Sequence, residues 1–497
     1  MTETATAVGT GPREPGHGGS TAGGAPDATH LGAIHAYAAD HLDELVGQLA
    51  DWVRIPGVAG VAENQMTLQR SANWLAGVLR ATGFPRVELW EVEDGAPAVY
   101  AEWCEAPGAP TVLVYSHHDV RSAKPQNWGQ VDPFDPAVRD GRLWGRGTSD
   151  AKGQVLCHVW GLRAHLEATG RTAPAVNVKL LVEGEEEAQS THLAQLLDEH
   201  PGATAADVVL LSDTVLWRAD APAVCLGLRG SLNATLTVTG PGRDAHSGAV
   251  SGPAPNPLHA VAALVARLHD ERGRVTIPGF YDDVEPVPDA ERAAIAALPY
   301  SDEDWLARSE THRIIGEEGW SPLERLWLRP AVEVLTIAAG DVDPPTRGAI
   351  PSVARVDLSF RTVPGQRVHR VAEQLRAWVA EQIPGYVDWE LTIPLESTQE
   401  AYRTPDDVPA LAVLRAAMAD GWRTDHVGSM RNAGGSPASL LHDTTGAPVL
   451  FFGTGLVEDH WHDSDESVLI DLLRAGTATL ASFWERLGAA PAPVGRS

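Results

Sequence analysis

The chain has 497 residues, of which 43% are hydrophobic, so it can bury a large core and form more than one domain. Its 38 basic residues against 66 acidic ones give a net charge of −28, which argues against nucleic acid as a partner. The three cysteines, Cys104, Cys157 and Cys225, are scattered without CxxC spacing, which indicates neither a disulfide framework nor a cysteine zinc site. A cytoplasmic protein is expected.

Both ends of the chain have the composition of disordered segments. Residues 1–30 are rich in Gly, Thr, Ala and Pro, and they lack the apolar stretch of a signal peptide or a membrane anchor. The tail, residues 488–497, is similar in composition. We therefore expect the folded region to span residues 31–487, without membrane association.

Residues 111–153 contain the first candidates for chemistry. The aliphatic run 112–114 predicts a buried strand that ends at His117 and Asp119, and α/β sheets bind ligands at such strand ends. An acid two residues after a histidine can hold one ring nitrogen while the other binds a metal, so His117 is a candidate ligand and Asp119 its orienting residue. The glycine-rich run 145–153 surrounds Asp150, a second candidate ligand.

Two later strand-like runs also end in acids. Residues 176–182 lead into the acidic run 183–187, and residues 208–211 lead into Asp213. The alternatives are an exposed helix N-terminus for the glutamates and a helix cap for Asp213. Because parallel strands end at one edge of a sheet, the repeated placement instead favours a shared metal site.

A second domain interrupts the first. From about Cys225 the pattern changes to the order β-α-β-β-α-β, a split βαβ arrangement. Its elements are strand 231–239, helix 256–269, strands 332–337 and 354–361, helix 368–382 and strand 387–393. The segment 281–329, rich in acids and tryptophan, is expected to be an irregular insertion.

After residue 400 the chain is expected to return to the first sheet. A helix at 409–419 and an apolar strand at 448–452 precede a histidine-rich segment that includes His462. The predicted fold class is therefore α/β, with a mixed or parallel sheet flanked by helices and an inserted α+β domain. The predicted boundaries are residues 31–224 and 399–487 for the catalytic domain, and 225–398 for the inserted domain.

Six ordered motifs resemble those of the dinuclear zinc metallopeptidases that include carnosinase and the cytosolic non-specific dipeptidases. These motifs are residues 117–120, 145–153, 183–187, 212–213, 244–248 and 462–466. The dipeptidase branch is the most similar, because residues 227–230, 359–364 and 434–436 match as well. The resemblance covers nearly the whole chain beyond its first 30 residues.

The resemblance implies two divalent metal ions per chain. Asp150 would bridge them, with His117 and Asp213 on one ion, and Glu187 and His462 on the other. Zinc is expected, and manganese or cobalt would also suit histidine and carboxylate ligands.

The resemblance also implies the catalytic and substrate-binding residues. Glu186 would be the general base. Arg361 would hold the substrate carboxylate, the alternative being a surface arginine in a local ion pair. The turn Gly434, Gly435 and Ser436 would bind substrate too.

A last implication concerns assembly. His246 would reach the active site of a neighbouring subunit and stabilise the oxyanion there. The protein would be a homodimer in which the inserted domain forms both the interface and a lid. The alternative is an exposed loop histidine.

The expected activity is cleavage of dipeptides or short peptides with a free C-terminus. An N-acyl-amino-acid deacylase and a catalytically silent binding protein are the alternatives.

Overall fold

The computed structural model describes residues 28–129, 131–341 and 347–490. The helices in these ranges are α1 Ala28–Asp40, α2 Leu42–Val53, α3 Gln65–Thr82, α4 Lys152–Thr169, α5 Leu193–Glu199, α6 Ser247–Val250, α7 Pro257–Val265, α8 Asp289–Ala296, α9 Asp302–Arg308, α10 Pro322–Leu328, α11 Val368–Gln382, α12 Pro409–Trp422, α13 Ala438–Thr445 and α14 Ile470–Ala489. The strands are β1 Arg86–Trp90, β2 Ala98–Trp103, β3 Thr111–His117, β4 Ala137–Arg139, β5 Arg142–Trp144, β6 Asn177–Glu183, β7 Val208–Leu211, β8 Ala223–Leu228, β9 Gly230–Thr239, β10 Ala245–His246, β11 Ala331–Ala339, β12 Ala349–Ile350, β13 Val353–Thr362, β14 Asp388–Thr392, β15 Tyr402–Arg403, β16 Gly428–Asn432, β17 Val449–Phe451 and β18 Ser467–Leu469.

The larger sheet is mixed, and its central strands β3, β7 and β17 are almost completely buried. Its strands run in the order β1-β2-β6-β3-β7-β17-β8-β15, and β16 pairs with β8. The central strands β6, β3, β7 and β17 are parallel, whereas β1 and β2 are antiparallel. Every residue of β7 is buried, as expected of a parallel strand covered by helices on both sides. The predicted fold class and the return of the C-terminal segment to this sheet are confirmed.

The second sheet has four antiparallel strands in the order β11-β13-β9-β14. Buried and more exposed residues alternate along β9, and its apolar side chains pack in one hydrophobic cluster with those of α7 and α11. This one-sided burial is typical of an α+β unit with helices on one face. The predicted order β-α-β-β-α-β is therefore present.

The segment 281–329 contains three short helices, α8, α9 and α10, where the sequence analysis expected irregular structure. Ile295 and Trp327 lie in the hydrophobic cluster that also contains Met430 of β16. Arg431 of β16 forms a 2.6 Å ion pair with Glu291 of α8. The segment therefore packs against the larger sheet rather than extending the smaller one.

The expected disordered ends lie mostly outside the described residues. Residues 28–30 belong to α1 and residues 488–489 to α14, so these few residues are helical.

Strand β2 was not predicted, although it joins β1 to the parallel part of the larger sheet. Among the described residues, no helix is both long and apolar enough to cross a membrane.

Candidate metal centre

The first ligand group lies at the carboxyl ends of β3 and β7. The Nε2 atom of His117 lies 3.2 Å from Asp150 Oδ1 and 3.6 Å from Asp213 Oδ1. All three residues are buried, and one potential ligand atom from each lies within 4.8 Å of the others. The sequence analysis placed these residues at one edge of the sheet, and the structure brings them together there.

A second ligand group shares Asp150. The Nε2 atom of His462 lies 3.0 Å from Asp150 Oδ2 and 3.2 Å from Glu187 Oε2. These three residues also offer ligand atoms within 4.8 Å of one another. Both oxygens of Asp150 therefore face a histidine, one in each group, which is the arrangement expected of a carboxylate between two cations.

The donors in these groups fit divalent metal ions. Glu187 Oε2 is buried and accepts no well-aligned hydrogen bond among the described residues, although His462 Nε2 lies 3.2 Å and Arg121 Nε 2.7 Å from it. Burial, and then the charge of Asp150, raise the pKa of Glu187 to about 7. Burial also raises the pKa of Asp213. Closely spaced acids of this kind need a counter-charge, and imidazole with carboxylate oxygen is a common donor set for zinc, manganese and cobalt.

Asp119 contacts both groups without joining either. Its Oδ2 accepts a 3.0 Å hydrogen bond from the backbone N–H of Glu187, and its Oδ1 lies 3.4 Å from His117 Nδ1. His117 Nδ1 also lies 3.1 Å from the backbone oxygen of Asp119. The second ring nitrogen of His117 is thus turned toward Asp150, as expected of a metal-ligating histidine with a carboxylate behind it.

The loop that carries Asp150 is anchored by Glu466. The Glu466 carboxylate accepts hydrogen bonds from the backbone N–H groups of Gly147, Ser149 and Asp150, and pairs with Arg146 at 2.7 Å. Gly147 has φ +90°, and a side-chain carbon there would approach Val120 to 2.8 Å. The glycine is therefore needed for the tight path of the loop.

Glu186 opens into a cavity of about 300 Å³ beside the two groups. Asp150, Asp213 and His462 also line it. Burial raises the pKa of Glu186 well above its ordinary value, and the charge of Asp213 adds to that effect. A carboxylate beside two metal-ligand groups, but in neither of them, is placed to take up and release protons.

The opposite wall of the cavity comes from the smaller sheet and the glycine turn. Arg361 of β13 lies opposite Ser231 of β9 in the strand register, and both line the cavity with Gly434 and Gly435. Burial lowers the pKa of Arg361 below its ordinary value. A half-buried guanidinium in such a wall can bind a carboxylate.

Five of the predicted site residues do not line this cavity: His117, Asp119, Glu187, Ser436 and His246. Ser436 is buried behind the glycine turn, and its hydroxyl oxygen has no partner among the described residues. His246 is exposed on the short strand β10, which pairs with β12. Within one chain, His246 is therefore not part of the cavity wall.

The sequence analysis missed two residues of the centre. Glu466 was seen only as the end of a motif, and Arg121 was not singled out. The Arg121 Nε atom lies 2.7 Å from Glu187 Oε2. Arg121 could have been found, because it is a basic residue two positions after the His-x-Asp at the end of a strand. Nothing local distinguished Glu466 from its acidic neighbours.

A family model described as "Peptidase family M20/M25/M40" matches residues 113–486. The chain belongs to this family, as the resemblance of its motifs indicated. It is accordingly a metallopeptidase, and the predicted enzyme class is confirmed.

Individual relatives agree with this assignment. The chain is 29% identical to a rat protein named Beta-Ala-His dipeptidase over 352 residues, which cover 68% of this chain and 71% of the relative. It is 27% identical to the Cysteinylglycine-S-conjugate dipeptidase of Corynebacterium striatum over 416 residues, or 82% of this chain and 87% of the relative. The crystal structure of human carnosine dipeptidase 1 superposes with a TM-score of 0.80 at 25% identity, covering 93% of this chain and all of the other.

Proposed function

We propose that this metallopeptidase cleaves dipeptides or short peptides that have a free C-terminal carboxylate. One observation carries the proposal: Glu186, which belongs to neither ligand group, lines the same cavity as Asp150 and Arg361. A proton-transferring group, a metal-ligating group and a carboxylate-binding group therefore face one space. Relatives named as dipeptidases support a dipeptide as the substrate.

Five residues would hold two divalent ions. His117 and Asp213 would bind one ion and Glu187 and His462 the other, with Asp150 between them. Zinc is the proposed metal, with manganese or cobalt as alternatives. When bound, such ions lower the pKa of a water and polarise the amide carbonyl.

Glu186 would act as the general base. Its carboxylate takes the proton from the attacking water and then returns it to the leaving amine. Without metal, burial and the charge of Asp213 raise the pKa of the Glu186 carboxyl above its ordinary value. Asp119 would keep the His117 ring and the Glu187 backbone in place during both transfers.

Arg361 and the glycine turn would position the peptide. The guanidinium would bind the C-terminal carboxylate with two parallel hydrogen bonds. Gly434 and Gly435 leave room for the substrate backbone in the cavity wall, and Ser436 lies directly behind them. A peptide bound this way would present its scissile carbonyl toward the ligand groups.

The complete active site would need a second subunit. His246 is exposed and outside its own cavity, so a homodimer through the inserted domain, residues 225–398, would let it reach the partner's cavity. There it would donate to the oxyanion that forms on the carbonyl. The residues 31–224 and 399–487 would form the catalytic domain. The unpaired cysteines suit a reducing cytoplasm, where the enzyme would work.

The test begins with metal. We expect chelation to abolish dipeptide hydrolysis and Zn²⁺, Mn²⁺ or Co²⁺ to restore it, with about two ions per chain by elemental analysis. Glu186→Gln should lower kcat by at least about 10²-fold while the metal content stays unchanged. The matched control is Glu185→Gln, because the Glu185 carboxylate instead binds Ala96 N at 3.0 Å and His192 Nδ1 at 2.7 Å. A metal-free preparation with full activity would overturn the proposal.

The substrate panel separates the alternatives. A dipeptide should be cleaved with a higher kcat/KM than its C-terminal amide, since the amide offers Arg361 no charge. Faster cleavage of N-acyl-amino acids than of any dipeptide would instead favour the deacylase. If neither class is cleaved by the metal-loaded protein, a silent binding protein remains.

Subunit exchange tests the role of His246. His246→Ala should lower kcat by about 10²–10³-fold, whereas His259→Ala, at an exposed histidine of α7, should not. Mixing His246→Ala with Glu186→Gln should recover part of the activity, because one site of the heterodimer keeps an intact Glu186 and receives an intact His246. Heterodimers without recovery would refute the shared site.

A further inference from the structure

Arg121 lies beside the metal centre in the loop that follows β3, and the proposed reaction leaves it without a role. It lines the same cavity as Glu186 and Arg361, and its side chain is 42% exposed. Its Nε lies 2.7 Å from Glu187 Oε2, yet neither atom has a hydrogen-bond partner among the described residues. The guanidinium is therefore held beside the centre by its ion pair with Glu187.

The charges that line the cavity favour an anionic ligand. Its carboxylates, Asp150, Glu186 and Asp213, all belong to the centre, where two divalent ions would offset their charge. Beyond that centre, the charged side chains that line the cavity in the described part of the chain are Arg121 and Arg361. An additional cationic group on the substrate would meet no acidic partner there, whereas an additional carboxylate would meet a guanidinium.

The two arginines lie on different walls. Arg361 belongs to β13 in the smaller sheet, and Arg121 follows a strand of the larger sheet. If Arg361 binds the C-terminal carboxylate, the residue on the amino side of the scissile bond extends away from it. That residue would then lie toward the part of the cavity wall that contains Arg121.

We propose that Arg121 selects peptides whose N-terminal residue has an acidic side chain, so that aspartyl and glutamyl dipeptides are the preferred substrates. The inference rests on the proposed function and names the substrate class of the same cavity. A guanidinium binds a carboxylate through charge-assisted hydrogen bonds, whereas it repels a lysyl ammonium and gains little from an amide. Because Arg121 is partly exposed, we expect a preference of roughly fivefold for Asp over Asn.

A purely positioning role for Arg121 would have a different signature. An arginine that only oriented Glu187 would affect all substrates alike, and its loss would weaken metal binding. The specificity role changes the ratio between substrates. The two roles are therefore distinguished by measuring the ratios of kcat/KM between substrates together with the metal content.

The experiment compares Asp-Ala, Asn-Ala and Lys-Ala, which differ only in the N-terminal side chain. That side chain is an acid in Asp-Ala, its neutral isostere in Asn-Ala and a cation in Lys-Ala. Wild-type metal-loaded enzyme should show kcat/KM in the order Asp-Ala, Asn-Ala, Lys-Ala. Arg121→Gln should bring the ratio of Asp-Ala to Asn-Ala close to one, and Arg121→Glu should place Lys-Ala above Asp-Ala. Arg139→Gln, at an exposed arginine of β4, is the matched control and should leave the ratios unchanged.

Binding supplies a second readout that does not depend on turnover. Analogues of Asp-Ala and Asn-Ala with a reduced peptide bond should bind the metal-loaded protein with the same roughly fivefold difference, which Arg121→Gln abolishes. Equal kcat/KM for Asp-Ala and Asn-Ala in the wild-type enzyme would overturn this inference. So would a fall in kcat/KM by the same factor for all substrates in Arg121→Gln. In either case the hydrolysis of dipeptides itself would still stand. If no dipeptide is cleaved, the proposed function fails, and the analogue affinities still decide the charge preference.

Discussion

The backbone N–H of Asp150 donates a 3.1 Å hydrogen bond to the carboxylate of Glu466, which lies 316 residues further along the chain. The same carboxylate accepts from Gly147 and Ser149, so one buried acid fixes the loop that carries Asp150, the proposed shared ligand. Residues that orient metal ligands typically change metal affinity by 10–100-fold when replaced.

We therefore expect Glu466→Gln to weaken the binding of the two proposed metal ions by about 10–100-fold, because an amide has a single acceptor oxygen for these N–H groups. Competition with a metallochromic chelator measures the affinity without relying on activity. Asp471→Asn is the control, since Asp471 pairs with Arg474 on the exposed side of α14. Unchanged affinity in Glu466→Gln would show that the loop keeps its shape without the carboxylate.

Asp119 offers a second test of ligand positioning. Asp119→Asn would put an amide nitrogen in place of one of the two carboxylate oxygens. The oxygen lost is either the one beside His117 Nδ1 or the one that accepts from the Glu187 N–H. We expect about 10–100-fold weaker metal binding and a lower kcat at saturating metal, since the His117 ring loses its fixed orientation. The pH dependence of metal binding should also shift, because the neutral amide stabilises a charged imidazole less well. Wild-type affinity would restrict Asp119 to a structural role.

The sheet edge where the candidate ligands lie was predictable from local patterns, whereas the choice of Glu187 and His462 among their neighbours depended on the resemblance to a family. An apolar run predicts a buried parallel strand, and a polar residue directly after it falls at the edge where such strands end, as at His117 and Asp213. Glu466 and the packing of residues 281–329 were not predictable in this way. Glu466 pairs with Arg146 across 320 residues, and Trp327 packs in a cluster with strands far from it in sequence. Such contacts leave no periodicity in the sequence.

The buried histidine His165 should make the protein sensitive to acid. Its side chain is fully buried in α4, its Nε2 accepts a 3.2 Å hydrogen bond from Ala175 N–H, and burial lowers its pKa to about 3. The unfolded chain binds a proton at this residue below about pH 6.5, whereas the folded chain does so only near pH 3. The contribution of neutral His165 to stability is thus complete above pH 6.5 and is lost as the pH falls toward 3.

Between pH 4 and 6 this one group should steepen the fall of the unfolding free energy by about 1.4 kcal/mol per pH unit. His165→Gln can still accept from Ala175, and it should reduce the slope by that amount. Urea unfolding at several pH values measures the slope, with His259→Gln at an exposed position as the control. Parallel curves for wild type and His165→Gln would show that the histidine is not held neutral.

The ion pair between Arg431 and Glu291 should connect the helical insertion to the active site. The side chains are 8% and 11% exposed, and β16, which carries Arg431, leads directly into the glycine turn at Gly434 and Gly435. Glu291→Ala would leave a nearly buried guanidinium without its partner, a change that typically costs about 3 kcal/mol of stability. The displaced strand should also raise KM more than it lowers kcat, because in the proposed function the glycine turn positions the substrate and takes no part in proton transfer. Glu303→Ala, at an exposed acid of α9, is the matched control and should alter the unfolding free energy by less than about 0.5 kcal/mol. Urea unfolding together with steady-state kinetics checks both effects, and a loss of stability with an unchanged KM would confine the ion pair to a structural role.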